Sequence, residues 1–177
     1  VLDGDTILLD NGLKVRLVGI QAPKLPLGRN GYQAWPLANA AKQALSELSL
    51  GKRVKIRYGG AERDRHGRIL GQVYIGKDEI WAQQAMLLAG LARVYSFPDN
   101  RRCLLALYQA EARARVERKG IWAGEDFYAV RNADKPLRIL EHTDRYELVE
   151  GRVLSAERYG QRVYLNFGPL WKEDFTV

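Results

Sequence analysis

Over residues 1–20, apolar and polar positions alternate, and the run is interrupted by Asp10-Asn11-Gly12, turn chemistry that joins two antiparallel strands. The pattern predicts a hairpin. Residues 21–36 lose any period and are rich in Gly and Pro, the mark of a loop. Ala38, Ala41, Leu45 and Leu48 then recur at helical spacing until Gly51, so a first amphipathic helix is expected there. Strand patterning returns over 53–58 and 69–75, on either side of the charged turn Glu62-Arg63-Asp64-Arg65-His66-Gly67-Arg68. Two more helices are predicted. A short one covers 80–89; a longer one covers 101–119, turns Leu104, Leu107, Tyr108 and Val116 inward, pairs Glu111 with Arg115 on its outer face and stops at Gly120.

Strands, helix, strands, helix, helix is an α+β order, in which a small curled antiparallel sheet is covered by helices. A five-stranded Greek-key barrel of the OB type fits that order, over a first domain of residues 1–125. Residues 126–144 are a mixed polar run containing Pro136 and no period, which reads as a linker or wrapping segment. A small β-rich C-terminal region follows over 145–177, with a second hairpin expected from 147–154 and 162–167 around Arg158-Tyr159-Gly160-Gln161. Its last residues lie inside a strand pattern, so that region is expected to be incomplete.

Composition narrows the chemistry. With 177 residues and 46% hydrophobic content, the chain buries a real core, and disorder is not the default. A formal net charge of +7, from 28 Lys and Arg against 21 Asp and Glu, favours polyanionic partners, nucleic acid first among them. The single cysteine, Cys103, excludes an intramolecular disulfide, and with only His66 and His142 no Cys/His zinc cluster can be assembled. Any metal would be a hard ion held by oxygen. No run of about 18 apolar residues is present, so no membrane span is expected. The chain starts at Val1 with no initiator Met or signal-like segment, which reads as a piece of a longer product. Compartment is left open, with secreted and periplasmic placements both compatible.

Five ordered places carry a more specific pattern: Asp3-Gly4-Asp5-Thr6, Val15-Arg16-Leu17, the proline of Gln21-Ala22-Pro23-Lys24, Asp64-Arg65-His66-Gly67-Arg68, and Gly120-Ile121-Trp122. In this order and spacing the first two thirds of the chain resembles the staphylococcal nuclease-like (thermonuclease) family. The resemblance implies an OB-fold barrel with three helices. It also implies a calcium-assisted phosphodiesterase site in which two aspartates hold the ion, a glutamate assists the attacking water and two arginines clamp the phosphate. Those roles are physically apt, since calcium takes carboxylate oxygens and planar guanidinium forks suit a developing phosphorane charge. By resemblance, Asp5 falls on the first metal aspartate, Arg16 on the first clamp arginine and Arg68 on the second.

The departure lies in Gln21-Ala22-Pro23-Lys24, where the family pattern has aspartate, threonine, proline and glutamate. Gln21 offers a neutral carbonyl oxygen and no charge; Lys24 inverts the sign where a base or water-positioner is expected. No Asp or Glu lies between Asn11 and Ser46 to replace them. The family mechanism therefore looks broken, and no cofactor is expected, with calcium reserved for the case that the site is active.

Each of these residues also has an ordinary reading. Asp5 is either a turn residue or a very weak ion site. Arg16 and Arg68 are either phosphate contacts or solvated charges at strand ends. Lys24 is either an incidental surface lysine or an internal cation that pairs with Asp5. Arg65 sits in the charged turn, and His66, Tyr95 and Phe97 lie near where the family contacts a base, where aromatic faces stack on any sequence; for Tyr95 and Phe97 core packing is the preferred reading, with base stacking the alternative. Trp35, Trp81 and Trp122 read as core anchors.

Three functions follow. The leading one is a nucleic-acid-binding domain whose phosphate cradle (Arg16, Lys24, Arg65, His66, Arg68) outlives a degraded phosphodiesterase site. The second is an active calcium-dependent nuclease. The third is a protein-interaction module, with the partner met through the C-terminal region.

Overall fold

The computed structural model describes residues 1–124, 127–143, 146–170 and 172–177. Its contacts divide the chain into two compact units, Val1–Ala123 and Gly124–Val177.

In the first unit the turn at residues 10–12 closes the expected hairpin. Strand β1 (Thr6–Leu8) pairs antiparallel with β2 (Lys14–Leu17), with Thr6 opposite Arg16 and Leu8 opposite Lys14. Val15 and Leu17 point into the core, so Lys14 and Arg16 are turned the other way by the two-residue period of a strand. Strand β3 (Gly19–Gln21) follows, and then helix α1 (Ala38–Ser49), whose buried face is Ala38, Ala41, Leu45 and Ser49. Strands β4 (Val54–Arg57), β5 (Ile69–Ile75) and β6 (Ile80–Trp81) complete a five-stranded sheet in which β5 lies parallel to β2 and antiparallel to β4 and β6. Helix α2 (Ala82–Leu88), strand β7 (Arg93–Tyr95), helix α3 (Leu104–Val116) and a 3-10 turn at Gly120–Ala123 end the unit.

This is the α+β architecture expected from the order of elements. The pairings leave the sheet open: after Val18 the chain departs from β5, and β3 forms a separate antiparallel ladder with β7, Gln21 opposite Arg93. The core lies between sheet and helices and contains Val15, Leu17, Ile20, Leu45, Val73, Ile75, Met86, Leu87 and Leu107. Gln83 is fully buried among them, accepting from the Val73 amide at 3.0 Å and donating to the Gly71 and Val18 carbonyls, which ties α2 to the point where β2 leaves the sheet.

Two helix expectations change. Residues 80–81 pair as a strand, so the short helix starts two positions later than the sequence pattern suggests. In α3 the inward face is Leu107, Ala110, Glu111 and Ala114; Tyr108 is exposed and Val116 is 85% exposed. Small residues let α3 approach closely, and Glu111 turns inward because its carboxylate accepts the Val94 amide. Its pairing with Arg115, at 3.4 Å, therefore starts from a buried residue rather than from an outer face.

In the second unit, β8 (Val130–Asn132) and the short helix α4 (Pro136–Leu140) form within the stretch read as a linker. Strand β9 (Leu148–Glu150) pairs parallel with β8, and β10 (Ser155–Tyr159) with β11 (Arg162–Asn166) makes the hairpin. The first arm of that hairpin is thus 155–159, not 147–154: the turn Tyr159-Gly160-Gln161-Arg162 sets the register, and the more apolar 148–150 is claimed by β8. Among the described residues no helix is long and apolar enough to cross a membrane.

Candidate nucleic-acid interface

The site begins at the turn Asp3-Gly4-Asp5. Gly4 is needed there because a methyl group in its place would stand 2.6 Å from the Cβ atoms of both Ala22 and Ala41. That close approach brings loop 21–24 and α1 onto the turn. The Ala22 amide then donates to Asp5 Oδ2 at 2.8 Å, and the Asp5 amide donates to Asp3 Oδ1 at 3.0 Å.

Asp5 is buried and fully engaged. Arg16 Nη1 lies 2.6 Å from Oδ1, Thr6 Oγ1 donates to the same oxygen, and Lys24 Nζ lies 3.4 Å from Oδ2. Burial pushes the Asp5 carboxyl upward, but Arg16, Lys24 and the Ala22 amide outweigh it and hold the group below the usual carboxylate range. Asp3 moves the other way, raised by its own burial and by the charge of Asp5. Lys24 is lowered, since burial outweighs the attraction of Asp5.

Arg16, whose side chain is only 13% exposed, also donates to the backbone carbonyls of Asp5, Leu17 and Ile20 at 2.8–3.2 Å. Gln21 is engaged too: its amide oxygen accepts from Arg93 Nη2 at 2.6 Å, across the β3–β7 ladder.

Arg68 stands on a second element. Asp64 Oδ1 accepts the amides of His66 and Arg68, folding the charged turn, while Oδ2 accepts Arg68 Nε at 2.8 Å and Nη2 at 2.7 Å. One edge of the guanidinium is thereby fixed, and the rest of a side chain 31% exposed is left to face outward. Burial raises the Asp64 carboxyl and the bonds from Arg68 and the two amides lower it further, leaving it below the usual range.

Between these elements lies a cleft of about 520 Å³. Arg16, Arg63, Arg65, His66 and Arg68 line it on the basic side, and Tyr95 and Phe97 form an edge-to-face pair, centroids 5.2 Å apart, on the other. The structure thus brings Arg16, Arg65, His66 and Arg68 to one cleft. Asp5, Gln21 and Lys24 are not among its lining residues; Asp5 pairs with Arg16 and Lys24, and Gln21 with Arg93. Tyr95 and Phe97 are exposed rather than packed in the core, Trp122 is buried, and Trp35 and Trp81 are half-buried. Arg63, Asp99 and Asn100 also line the cleft, and Arg93 holds Gln21. Sequence reasoning missed these four. Arg63 was legible as a further cation in the charged turn, whereas Arg93 becomes partner to Gln21 only through a ladder between strands 72 positions apart.

The donor set does not suit the calcium ion that the resemblance implies. Calcium wants six to eight oxygens, several of them charged. Here the Asp5 oxygens already face Arg16, Thr6, Ala22 and Lys24, the Gln21 oxygen faces Arg93, and no group of three or more His, Cys, Asp or Glu able to hold a metal occurs among the described residues.

Comparison with known proteins identifies the family. The family model for staphylococcal nuclease homologues matches residues 14–124. An uncharacterized endonuclease of Escherichia coli is 38% identical over 129 residues, covering 71% of this chain and 75% of that protein. A thermonuclease of Staphylococcus intermedius is 30% identical over 125 residues, 69% of this chain and 72% of that one. An endonuclease of Bacillus subtilis is 29% identical over 127 residues, 69% and 58% of the respective chains.

Proposed function

The chain belongs to the staphylococcal nuclease homologue family, and from that premise we propose that its cleft binds the phosphates of nucleic acid without calcium-assisted hydrolysis. The observation that carries this reading is the pairing of Asp5 with both Arg16 and Lys24, which spends on internal cations the carboxylate a metal would need.

Binding needs only what remains. Asp64 orients Arg68 so that its outward N–H groups can fork onto a phosphate, Arg63 and Arg65 add positive charge at the rim, and Tyr95 and Phe97 offer exposed ring faces to bases. Arg16 lends its charge to the cleft floor while its hydrogen bonds go to the protein. None of these side chains is a base placed to activate a water, the Asp64 carboxylate being bound to Arg68.

The second reading is an active nuclease. It is favoured by the endonucleases and thermonuclease among the relatives and by the presence of both Arg16 and Arg68 at one cleft. A nicking assay on supercoiled DNA with calcium and with chelator separates the two: binding without nicking supports the first, and calcium-dependent nicking that Asp5→Ala abolishes overturns it.

A further inference from the structure

Positive charge is not spread evenly. Of the 28 Lys and Arg residues, 20 fall within residues 1–123, against 11 of the 21 Asp and Glu, so the first unit carries a formal +9 and the remainder −2. Part of that excess lies outside the cleft, on the outer face of β4, β5 and β6.

There Lys55 and Arg57 alternate outward along β4, the last strand of the sheet. The Arg57 guanidinium sits 4.4 Å over the Tyr74 ring, and Tyr74 stacks on Trp81, with centroids 6.3 Å apart and planes 13° from parallel. Trp81 is held by donating its Nε1 to Gln72 at 2.9 Å. The result is a half-buried aromatic platform with a cationic rim. Glu79 is the facing acid: it pairs with Lys55 and, at 2.9 Å, with Arg57, holding the two cations side by side.

This platform and the cleft are joined by close packing. A methyl group at Gly59 would stand 2.9 Å from Arg102 Cβ, and one at Gly60 would stand 1.7 Å from the Asp99 carbonyl oxygen. Asn100 Nδ2 donates to the Ala61 carbonyl at 3.0 Å. The turn 99–102 therefore lies directly on residues 59–61, the segment that follows β4. Its Asp99 and Asn100 line the cleft, while Arg102 rests, exposed, two positions beyond Arg57.

We propose that Arg102, Arg57 and Lys55, with the Tyr74–Trp81 platform, form a second binding surface that carries a single-stranded nucleic acid out of the cleft and over the edge of the sheet. The proposal rests on the cleft being a phosphate site and extends it from one or two nucleotides to a strand of several. Cations spaced along an edge meet successive phosphates, and stacked rings meet unpaired bases without regard to sequence. A duplex, whose bases are already stacked, gains only the charge.

Fluorescence anisotropy of the full chain with labelled oligothymidylate of two and of twelve nucleotides, at low salt, tests this. The longer strand is expected to bind more tightly. Combining Arg57→Ala with Arg102→Ala weakens the twelve-nucleotide complex about tenfold and flattens its salt dependence by about 1.4 in log–log slope, with the two-nucleotide complex unchanged. Glu79→Gln, which removes an acid from the surface, does the reverse for the long strand only. Equal effects at both lengths, no effect on the long strand, or tighter binding of a twelve-base-pair duplex than of the single strand would each overturn the proposal. Arg68→Ala reads the cleft separately: if it changes neither complex while the surface variants change the longer one, the cleft assignment fails and with it the path out of the cleft, and the surface is left as a binding site on its own.

Discussion

Lys24 Nζ lies 3.4 Å from Asp5 Oδ2, the oxygen that also accepts the Ala22 amide. An ammonium group thus faces the carboxylate at the position where the family pattern supplies a glutamate. It satisfies Asp5 with one positive charge in place of the two of a divalent ion, and it needs no further carboxylates.

The first expectation is that calcium binds no more tightly than about millimolar. Isothermal calorimetry checks it. A micromolar isotherm that disappears in Asp5→Ala would show that the ion displaces Lys24.

Restoring acids is the second. Gln21→Asp with Lys24→Glu should give calcium-dependent cleavage at least about tenfold above the parent, because Arg16 and Arg68 already flank the cleft. Each single change should do less, since such groups act as a unit. Arg93, now 2.6 Å from Gln21, would bind the new carboxylate at position 21 and limit the gain. A folded double variant that remains inert with Arg93→Gln added would place the site elsewhere.

Arg16 and Arg68 should behave differently. Arg16→Ala removes a cation from a buried carboxylate and three carbonyl partners, and should cost about 3 kcal/mol or more in urea unfolding. Arg68→Ala, at a partly exposed pair, should cost under about 1 kcal/mol. It should nevertheless weaken nucleic-acid binding and lower the salt slope by about 0.7. Equal stability losses for both would mean that Arg68 is structural as well.

Acid should unfold the protein partly through Asp5. Its folded carboxyl is held low, so the unfolded chain takes up the proton first. The stability it contributes is complete above the unfolded value of about 3.9 and is lost as pH falls through the lower folded value. Asp3, raised in the fold, has the opposite sign: its contribution is present at low pH and declines as pH rises through its raised value. Urea midpoints measured from pH 2 to 7 should therefore drop below about pH 4. Lys24→Met, by weakening the hold on Asp5, should lower the midpoint at neutral pH and make the acid loss shallower; an unchanged profile would mean that Arg16 alone sets it.

Much of the fold was legible because its signals are local. Asp10-Asn11-Gly12 announces a turn by itself, and Ala38, Ala41 and Leu45 mark the buried face of α1 without reference to anything else. The acid-to-base exchange at Lys24 was legible too, because motif order fixes which positions meet. What failed was competition between partners. Residues 148–150 have the makings of a hairpin arm until β8 takes them, and Glu111 belongs on an outer surface until an unpaired amide at Val94 draws it inward. The Gln21–Arg93 pair likewise exists only once β3 has left the main sheet for β7.

Gly4, wedged against Ala22 and Ala41 with no room for another methyl, makes the Asp3–Asp5 turn, the loop and α1 a single mount. Gln21 and Lys24 project from that mount, half-exposed, without building it. Substitution can therefore rewrite the charge of this site one codon at a time while the backbone beneath stays the same, so that on the proposed reading binding and hydrolysis differ by side chains alone. Gly4 has no such freedom: a lineage that replaced it would deform the seat itself, and no change at positions 21 or 24 would compensate.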